Sequence, residues 1–471
     1  MNLEESIAHF AKITPDKAAV ICGGETLSYS CLWERIRQRA KQLREQGLHE
    51  RQPYPFVTTQ DAEFIVTYCA VHLCGAVAVP VPVTSIIPPD STRPQTLSDS
   101  RPSKSPLKGD FIFSPFKGES ERVSSILYTT GTTGQAKGVM ISEKAWIANA
   151  ENLIDRLGFT GELLFIICGP LNHLGSLSKI YPTLMTGGTL CLLEGLKDFG
   201  AFFSAFELPF TRVATFLVPS SIRMLLQFAS KQLSAVSHKI DFIETGAAPI
   251  SQHDMERLCQ LLPDSRLFNT YASTETGIVC SYEFSRYGCV PGLLGKPMRH
   301  SSVRIADDGR VVCSGLTVMS GYVGSSEATA QVLHDGEVYT SDIGSLDEHG
   351  MLRLMGRMDD VINVGGFKVN PSEVEDAAQA FEGIGDCICI PAPHPLLGTV
   401  PKLLYVPRQS HTIEPKDIAR FLQERIESYK VPLFYEAVEV VRRTYNDKPD
   451  RKAYQCENAS PLRAKTPLRS C

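Results

Sequence analysis

The sequence predicts a large α/β domain containing a β-rich stretch, followed by a small α+β domain. Its 471 residues suffice for more than one hydrophobic core. Between residues 123 and 300, short apolar runs alternate with segments of helical period, which indicates a parallel sheet covered by helices. Near residue 356 the hydrophobic spacing restarts as a compact unit of its own. We therefore expect domains at 1–356 and 357–455, and a polar tail at 456–471.

The composition and the N-terminal sequence argue against nucleic-acid binding, disulfides, a zinc site, a signal peptide and a membrane span. Hydrophobic residues make up 43% and charged residues 21%, values typical of globular proteins, and the net charge of −5 does not favour nucleic-acid binding. Fourteen cysteines without a C-x-x-C pair favour free thiols in a reducing cytosol over disulfides or zinc. The N-terminus lacks a signal-peptide pattern, and Pro80 and Pro82 interrupt the most apolar stretch, 64–83. These features predict a cytoplasmic protein without a membrane span.

The first 122 residues predict two helices, a hairpin and a helix–strand unit. An acidic helix precedes a strand at Ala18–Cys22 and a return strand at Leu27–Tyr29. A second helix is predicted by one apolar face, made of Leu32, Ile36, Ala40 and Leu43. Residues 62–83 read as a helix running into a strand. Residues 88–121 carry six prolines and predict a surface loop or a partly disordered linker.

The remaining elements are predicted from turn residues, a helix cap and apolar runs. Asp-Gly and His-Gly turns between 302 and 355 indicate a β-rich subdomain, and Asn370 followed by Pro371 starts a helix. Two strands and a further helix complete the small domain. The core strands of the large domain are predicted at Leu163–Cys168, Thr189–Leu193, Val213–Val218, Ile240–Glu244 and Arg266–Asn269.

Residues 128–138, YTTGTTGQAKG, are rich in glycine, threonine and one lysine. Such a loop can cradle an anion, since backbone N–H groups approach closely, hydroxyls donate and lysine adds charge. A solvated hairpin loop is the alternative. A Walker loop is excluded because Gly138 and Val139, not Ser or Thr, follow Lys137.

The loop resembles the phosphate-loop signature of the adenylate-forming superfamily, which includes acyl- and aryl-CoA ligases and the adenylation domains of peptide synthetases. Thr130 and Ala136 depart from its Ser and Pro positions. Further motifs follow downstream in family order. The resemblance implies that the loop binds ATP through Thr129, Thr130, Gly131, Thr132, Thr133, Gly134 and Lys137.

A second motif, NTYASTE at 269–275, resembles the family's Tyr-Gly-x-Thr-Glu, with Ala272 for glycine. The resemblance places Asn269 and Tyr271 at the nucleotide, with Tyr271 stacked on adenine. It implies that Thr274 bonds the α-phosphate and that Glu275 helps to hold Mg²⁺, which prefers hard oxygen ligands. An upstream turn resembling Gly-Gly-Ala-Pro implies a wall shared by adenine and substrate, formed by Gly246, Ala247 and Ala248.

The junction of the two predicted domains carries the most specific match. Residues 356–375 resemble the family's Gly-Arg-x-Asp-Asp-x-Ile segment and the glycine pair that follows it. By resemblance Arg357 binds ribose and phosphate, Asp359 is the hinge of a mobile small domain, and Gly366 lines a pantetheine passage. The glycines could also serve only a hairpin. Upstream, Asp342 follows the family's ribose-binding pattern, with Ser341 in a glycine position.

Two further segments of the sequence resemble motifs of the family. Residues 443–452 resemble the closing motif that carries a catalytic lysine, here Lys448, with Asp447 and Pro449 as departures. Residues 170–176 resemble the segment that borders the acyl pocket, which implies a role for His173, although a satisfied core histidine is the alternative. No aspartate occurs from 166 to 186, which argues against an α-amino acid substrate.

The resemblance implies an AMP-forming ligase that uses ATP, Mg²⁺ and coenzyme A to activate a small carboxylic acid. Three alternatives stay open at this point. The acceptor could be the phosphopantetheine of an acyl carrier protein. The chain could be a nucleotide-binding scaffold with degraded catalysis, given the substituted motif positions. It could also be a phosphotransferase, which would release ADP.

Overall fold

The chain divides into two compact units. In this computed structural model, the first comprises Met1–Ile250, Asp254–Thr340 and Ser345–Arg353, and the second comprises Ser251–His253, Ser341–Gly344 and Leu354–Cys471. The structure describes residues 1–82, 122–130, 136–196, 198–408, 413–443, 450, 451, 453 and 454. The predicted linker at 88–121 and the tail at 456–471 lie outside them.

An eight-stranded sheet forms the centre of the first unit. Its order is β12-β11-β10-β9-β7-β8-β1-β2. The pairs from β11 to β1 are parallel, and the two edge strands are antiparallel. The strands are β1 (Ala18–Cys22), β2 (Glu25–Ser28), β7 (Leu163–Ile167), β8 (Thr189–Leu192), β9 (Arg212–Leu217), β10 (Ile240–Gly246), β11 (Arg266–Ser273) and β12 (Gly277–Glu283).

Helices cover both faces of this sheet because successive strand residues point to opposite sides. Phe165 and Phe242 join one core with the first five helices, whereas Leu164 and Ile243 join a second core with the next four. The predicted α/β layers are confirmed. The helices are α1 (Leu3–Ile13), α2 (Tyr29–Glu45), α3 (Ala62–Leu73), α4 (Glu143–Leu157), α5 (Leu174–Met185), α6 (Phe199–Ser204), α7 (Pro219–Phe228), α8 (Ser230–Ala235) and α9 (Gln252–Leu261).

Local chemistry explains where these helices begin. The side chains of Asn2, Ser28, Asp61 and Ser142 accept hydrogen bonds from backbone N–H groups in the first turns of α1 to α4. Tyr29, expected at the end of a strand, instead begins α2, because Ser28 is its cap. The predicted apolar face of α2 is fully buried.

A second sheet, of five strands, carries the glycine-rich loop. Its order is β16-β6-β5-β4-β3. β5 and β6 form an antiparallel hairpin, and β16 pairs with β6. The strands are β3 (Pro53–Val57), β4 (Val77–Val81), β5 (Val123–Thr130), β6 (Ala136–Ser142) and β16 (Gly321–Tyr322).

The predicted β-rich stretch forms a sheet of order β13-β19-β18-β15-β14, with β17 paired to β18. Two short helices, α10 (Phe284–Tyr287) and α11 (Ser326–Ala330), lie near it in sequence. The strands are β13 (Leu293–Gly295), β14 (Ser301–Ile305), β15 (Arg310–Gly315), β17 (Leu333–His334), β18 (Glu337–Leu346) and β19 (Leu352–Arg357).

The second unit has its own core, as a small domain must. A sheet of order β21-β20-β23-β22, with β24 paired to β23, packs with two helices. Asn370 caps the first helix as predicted. The elements are β20 (Ile362–Val364), β21 (Phe367–Val369), α12 (Pro371–Gln379), β22 (Ile384–His394), β23 (Gly398–Pro407), α13 (Pro415–Gln423) and β24 (Phe434–Ala437).

Among the residues that the structure describes, no helix is both long enough and apolar enough to span a bilayer.

Candidate active site

The glycine-rich loop joins β5 to β6. Thr129 pairs with Lys137 and Thr130 pairs with Ala136, so the hairpin closes at the motif. Gly138 is tightly enclosed, because a β-carbon there would lie 3.1 Å from Ile126 and 3.2 Å from Tyr128. Gly131, Thr132, Thr133 and Gly134 lie outside the described residues, and their phosphate contacts stay predictions.

Lys137 and Glu275, from two separate motifs, meet at one tyrosine. The Lys137 Nζ lies 5.0 Å from the centroid of the Tyr322 ring, and the Tyr322 hydroxyl donates to Glu275 Oε1 at 3.0 Å. The backbone of Glu275 accepts a second bond, from the N–H of Met319 at 2.9 Å. These contacts therefore fix strand β6, which carries Lys137, against the segment that carries Glu275.

Tyr322 was not identified from the sequence. It lies on the two-residue strand β16, opposite Val139, and no motif marks it. Burial, and then the charge of Glu275, raise the pKa of the Tyr322 phenol, so the hydroxyl stays protonated as the donor. Its role is to position the carboxylate.

The 269–275 motif ends a central strand and turns into β12. Asn269 and Tyr271 are buried on β11, whereas Thr274 and Glu275 are half-buried in the turn. The Thr276 N–H donates to the Ser273 hydroxyl at 3.1 Å, and the Ser273 N–H donates to the Thr276 hydroxyl at 3.1 Å. This turn holds Thr274 and Glu275 at the carboxyl end of a parallel strand, where α/β sheets bind ligands.

The turn at residues 246–249 follows strand β10, which lies beside β11. A β-carbon on Gly246 would lie 2.6 Å from the carbonyl oxygen of Thr270, so only glycine fits there. Ala247 has φ +67°, a left-handed conformation that costs an L-residue about 1–2 kcal/mol. The backbone of this predicted wall is therefore strained at one defined residue.

Substitution of Ala247 should move stability in opposite directions. Ala247→Gly should raise the free energy of unfolding by roughly 0.5–1 kcal/mol, because relieved strain exceeds the added entropy of the unfolded chain. Ala247→Val should lower it, since β-branched residues tolerate positive φ poorly. Thermal unfolding of both variants measures this, and a shift of the same sign in both would contradict the assignment of strain.

His173 lies at the start of α5, where it is the N-cap residue. Its Nδ1 accepts a hydrogen bond from the N–H of Gly175 at 3.2 Å, which places the ring proton on Nε2. A β-carbon on Gly175 would lie 2.8 Å from Phe216, so helix α5 approaches β9 closely at this point. The structure thus gives His173 a capping role and leaves its pocket role a prediction.

Asp342 and Arg357 lie on the adjacent strands β18 and β19. The Arg357 Nε lies 3.4 Å from Asp342 Oδ1, and the arginine side chain is half exposed. Such a half-exposed pair contributes little to stability. Ribose and phosphate binding by these two residues stays a prediction.

The glycine pair of the second unit forms the turn of the β20–β21 hairpin. Gly365 and Gly366 have φ of +55° and +98°, and the Gly366 N–H donates to Asn363 Oδ1 at 3.0 Å. No atom of the residues that the structure describes lies within 4 Å of a β-carbon placed on Gly366. Hairpin geometry thus accounts for both glycines, and the passage at Gly366 stays a prediction. Asp359, the predicted hinge, lies in the short 3-10 helix Met358–Asp360.

Lys448 lies outside the described residues, but both flanks of its segment are anchored. Arg443 Nη2 lies 2.6 Å from Asp386 Oδ2, and Arg451 Nη2 lies 2.6 Å from both oxygens of Glu375. Burial raises the pKa of Glu375, and Arg451 opposes this effect. The role of Lys448 therefore stays a prediction.

The residues present fit a magnesium ion delivered with ATP. No cluster of three or more His, Cys, Asp or Glu side chains that could hold a metal occurs among the described residues. Glu275 instead offers one carboxylate, beside Thr274 and held by Tyr322. Mg²⁺ commonly binds through one or two carboxylates together with substrate phosphates and water, which matches this donor set.

Sequence reasoning also missed a buried ion pair between Lys179 on α5 and Glu244 on β10. The available signal was Lys179, the one charged residue in the segment LGSLSKIYPTLM, and Glu244, which follows two apolar residues in the predicted core strand.

Comparisons with known proteins agree with the resemblance. Feruloyl-CoA synthase from Amycolatopsis is 27% identical over 459 residues, covering 90% of this chain and 92% of that protein. The 2-succinylbenzoate–CoA ligase of Staphylococcus epidermidis is 27% identical over 358 residues, covering 73% and 72%. The crystal structure of ATP-bound MatB from Rhodopseudomonas palustris shares the fold, with a TM-score of 0.81 at 23% identity over 97% of this chain and 100% of that chain.

Family models account for most of the chain. The model described as AMP-binding enzyme matches residues 7–86 and 84–323. The model described as AMP-binding enzyme C-terminal domain matches residues 373–448, which include the Lys448 position. The motifs, the fold and these matches together establish that the chain belongs to the AMP-binding enzyme family.

Proposed function

We propose that the protein activates a carboxylic acid with ATP to form an acyl-adenylate, and then transfers the acyl group to the thiol of coenzyme A. The observation that carries the proposal is the meeting of Lys137 and Glu275 at Tyr322, because it joins the predicted phosphate loop to the predicted metal ligand. Relatives named as CoA ligases support the choice of acceptor.

The first step brings two anions together. A carboxylate oxygen of the acid attacks the α-phosphorus, and the bond to the β-phosphate oxygen breaks to release pyrophosphate. Lys137 supplies positive charge beside the phosphates, and Thr274 donates a hydrogen bond to the α-phosphate. Lys448 stabilises the charge that develops during this attack. Mg²⁺, when bound at Glu275, neutralises phosphate charge.

The second step needs no nucleophile from the protein. The sulfur of the pantetheine thiol attacks the acyl carbonyl carbon, and the thiol proton passes to water. The bond from that carbon to the phosphate oxygen breaks, so AMP leaves with the oxygen that came from the acid. Gly366 leaves space for the pantetheine arm, and Asp342 and Arg357 bind the ribose. The contribution of the protein is therefore positioning and charge stabilisation.

The acid is proposed to lack an α-amino group. The segment from 166 to 186 contains no aspartate that could pair with a substrate ammonium. Simple aliphatic or aryl acids should therefore give more pyrophosphate than any proteinogenic amino acid. Activation of amino acids alone would contradict this substrate class.

The proposal is tested by product stoichiometry. The protein is incubated with MgATP, coenzyme A and a panel of aliphatic, aryl and amino acids, and AMP, ADP, pyrophosphate and thioester are quantified. We expect equal amounts of AMP, pyrophosphate and thioester with the preferred acid. ADP would indicate phosphoryl transfer, and ATP binding without pyrophosphate release from any acid would indicate a non-catalytic scaffold. A phosphopantetheinylated carrier protein, offered in place of coenzyme A, tests the other acceptor.

A further inference from the structure

Two cysteine thiols from separate elements lie in contact within the first unit. Cys259 is on α9 and Cys289 is in the segment between α10 and β13, and their sulfur atoms are 3.7 Å apart. Both are free thiols, and both are partly buried rather than sealed in the core. Since the sulfur atoms of a disulfide are about 2.05 Å apart, bond formation needs an approach of under about 2 Å.

The chain around Cys289 has the freedom to supply this approach. It is neither helix nor strand between the end of α10 at Tyr287 and the start of β13 at Leu293. Gly288 has φ +101°, and no atom of the described residues lies within 4 Å of a β-carbon placed there. Cys259 is held more firmly, because α9 buries Met255 in the second core. We therefore expect Cys289 to move towards Cys259.

The chain between the two cysteines contains the hairpin of β11 and β12, whose turn carries Glu275. The strands pair antiparallel, with Phe268 opposite Glu283 at the open end of the hairpin. Cys259 precedes β11 and Cys289 follows β12, so both lie on the side of the open end. A bond between them would close that end and leave the turn with Glu275 accessible.

The surroundings of the two thiols decide which one reacts first. Burial, and then Cys289, raise the pKa of Cys259 to about 12. Burial also raises the pKa of Cys289, but Cys259 opposes this effect because its S–H can donate to a Cys289 thiolate. Cys289 is therefore the first to ionise. As the thiolate is the nucleophile, Cys289 is also the first to attack an oxidant, and the raised pKa values make this attack slow at neutral pH.

We propose that Cys259 and Cys289 are a redox modification site, at which hydrogen peroxide forms a reversible disulfide that braces the β11–β12 hairpin and leaves the nucleotide motifs accessible. The Cys289 sulfur attacks one peroxide oxygen, the O–O bond breaks, and the departing hydroxide takes up the thiol proton as water. The Cys259 sulfur then attacks the sulfur of the resulting sulfenic acid. The S–O bond breaks, and the hydroxyl leaves with the Cys259 proton as a second water. The two thiols lose two electrons, which the peroxide gains.

Peptide mapping tests the bond itself. The full chain is treated with hydrogen peroxide, remaining thiols are blocked with N-ethylmaleimide, and peptides from a non-reducing digest are identified by mass spectrometry. The peptides of Cys259 and Cys289 should be joined and lighter by two hydrogen atoms, and dithiothreitol should separate them. Blocked thiols at both positions, or a sulfinic or sulfonic acid at either, would overturn the proposal.

Thermal unfolding tests the bracing. Oxidation should raise the midpoint of unfolding by roughly 3–5 °C, because closing the loop restricts the unfolded chain, and dithiothreitol should reverse the rise. C259S and C289S should each abolish the joined peptide and the rise. C31S removes an exposed thiol from α2 and is the matched control, which should keep both. An equal rise in C259S and C289S would contradict the proposal. If a variant does not fold, the native protein with and without dithiothreitol decides.

Pyrophosphate release distinguishes bracing from blocking of the site. The kcat/KM for MgATP of the oxidised native protein should stay within about twofold of the reduced value, because the turn that positions Glu275 is not displaced. A larger loss that dithiothreitol reverses, and that C289S does not show, would overturn the proposed geometry. Absence of pyrophosphate release from both forms would count against the proposed function alone, since the joined peptide and the thermal shift do not depend on catalysis.

Discussion

Replacing Lys448 by alanine should slow acyl-adenylate formation by about 100-fold or more. The reason is the loss of a positive charge that is needed only when the carboxylate attacks the α-phosphate, and removal of single charge-stabilising donors has effects of this size. Acid-dependent release of pyrophosphate in a single turnover measures this step. Lys416→Ala, which removes an exposed lysine from α13 of the same unit, is the matched control and should have no effect.

The second half-reaction separates this role from a general loss of structure. Thiol transfer from supplied acyl-AMP should be nearly unchanged in the Lys448→Ala variant. Gly366→Asn should do the reverse, because asparagine tolerates positive φ and so fills the passage without breaking the turn. The Gly365→Asn variant is the control for an effect of asparagine on the hairpin itself. Equal loss of both steps in the Lys448→Ala and Gly366→Asn variants would contradict the separate assignments and the hinge at Asp359 that they imply.

Glu275→Ala should lower kcat/KM for MgATP by about 100-fold and raise the Mg²⁺ concentration needed for half-maximal rate. The Glu275 carboxylate is the one side chain proposed to bind the metal, so its loss removes a direct contact to the ion. Titration of Mg²⁺ at fixed ATP gives both quantities.

Tyr322→Phe provides a graded comparison, because it removes only the hydroxyl that donates to Glu275. The loss in kcat/KM for MgATP should be smaller, roughly 10-fold. The Mg²⁺ concentration needed for half-maximal rate should again increase. A Glu275→Ala variant with an unchanged Mg²⁺ requirement would show that the ion is held elsewhere.

Much of the fold could be predicted from periodicity. The strand at Ala18–Cys22 was placed correctly, and the central strands were located to within a few residues, because buried parallel strands read as short apolar runs. Strands β10 and β11 extend two and four residues beyond their predicted ends, into the motifs. Sequence alone does not show this, since the extra residues do not form an apolar run and are held by pairing with the neighbouring strands.

The site was predictable only where motifs mark it. Tyr322 joins Lys137 to Glu275 because β16 pairs with β6, a contact far apart in sequence that no local pattern encodes. The strain at Ala247 also depends on the tertiary structure, since alanine itself indicates no positive φ. Lys179 is the one charged residue of its helix, and Glu244 shares its strand with Asp241, so only the three-dimensional structure shows that Lys179 and Glu244 pair.

In the proposed mechanism, the acid itself attacks the α-phosphorus of ATP. A carboxylic acid labelled with ¹⁸O in both oxygens, incubated with the protein, MgATP and coenzyme A, tests this most directly by mass spectrometry of the nucleotide product. Each AMP should carry one ¹⁸O from the acid, and pyrophosphate should carry none. Unlabelled AMP, or label in inorganic phosphate together with ADP, would contradict the mechanism.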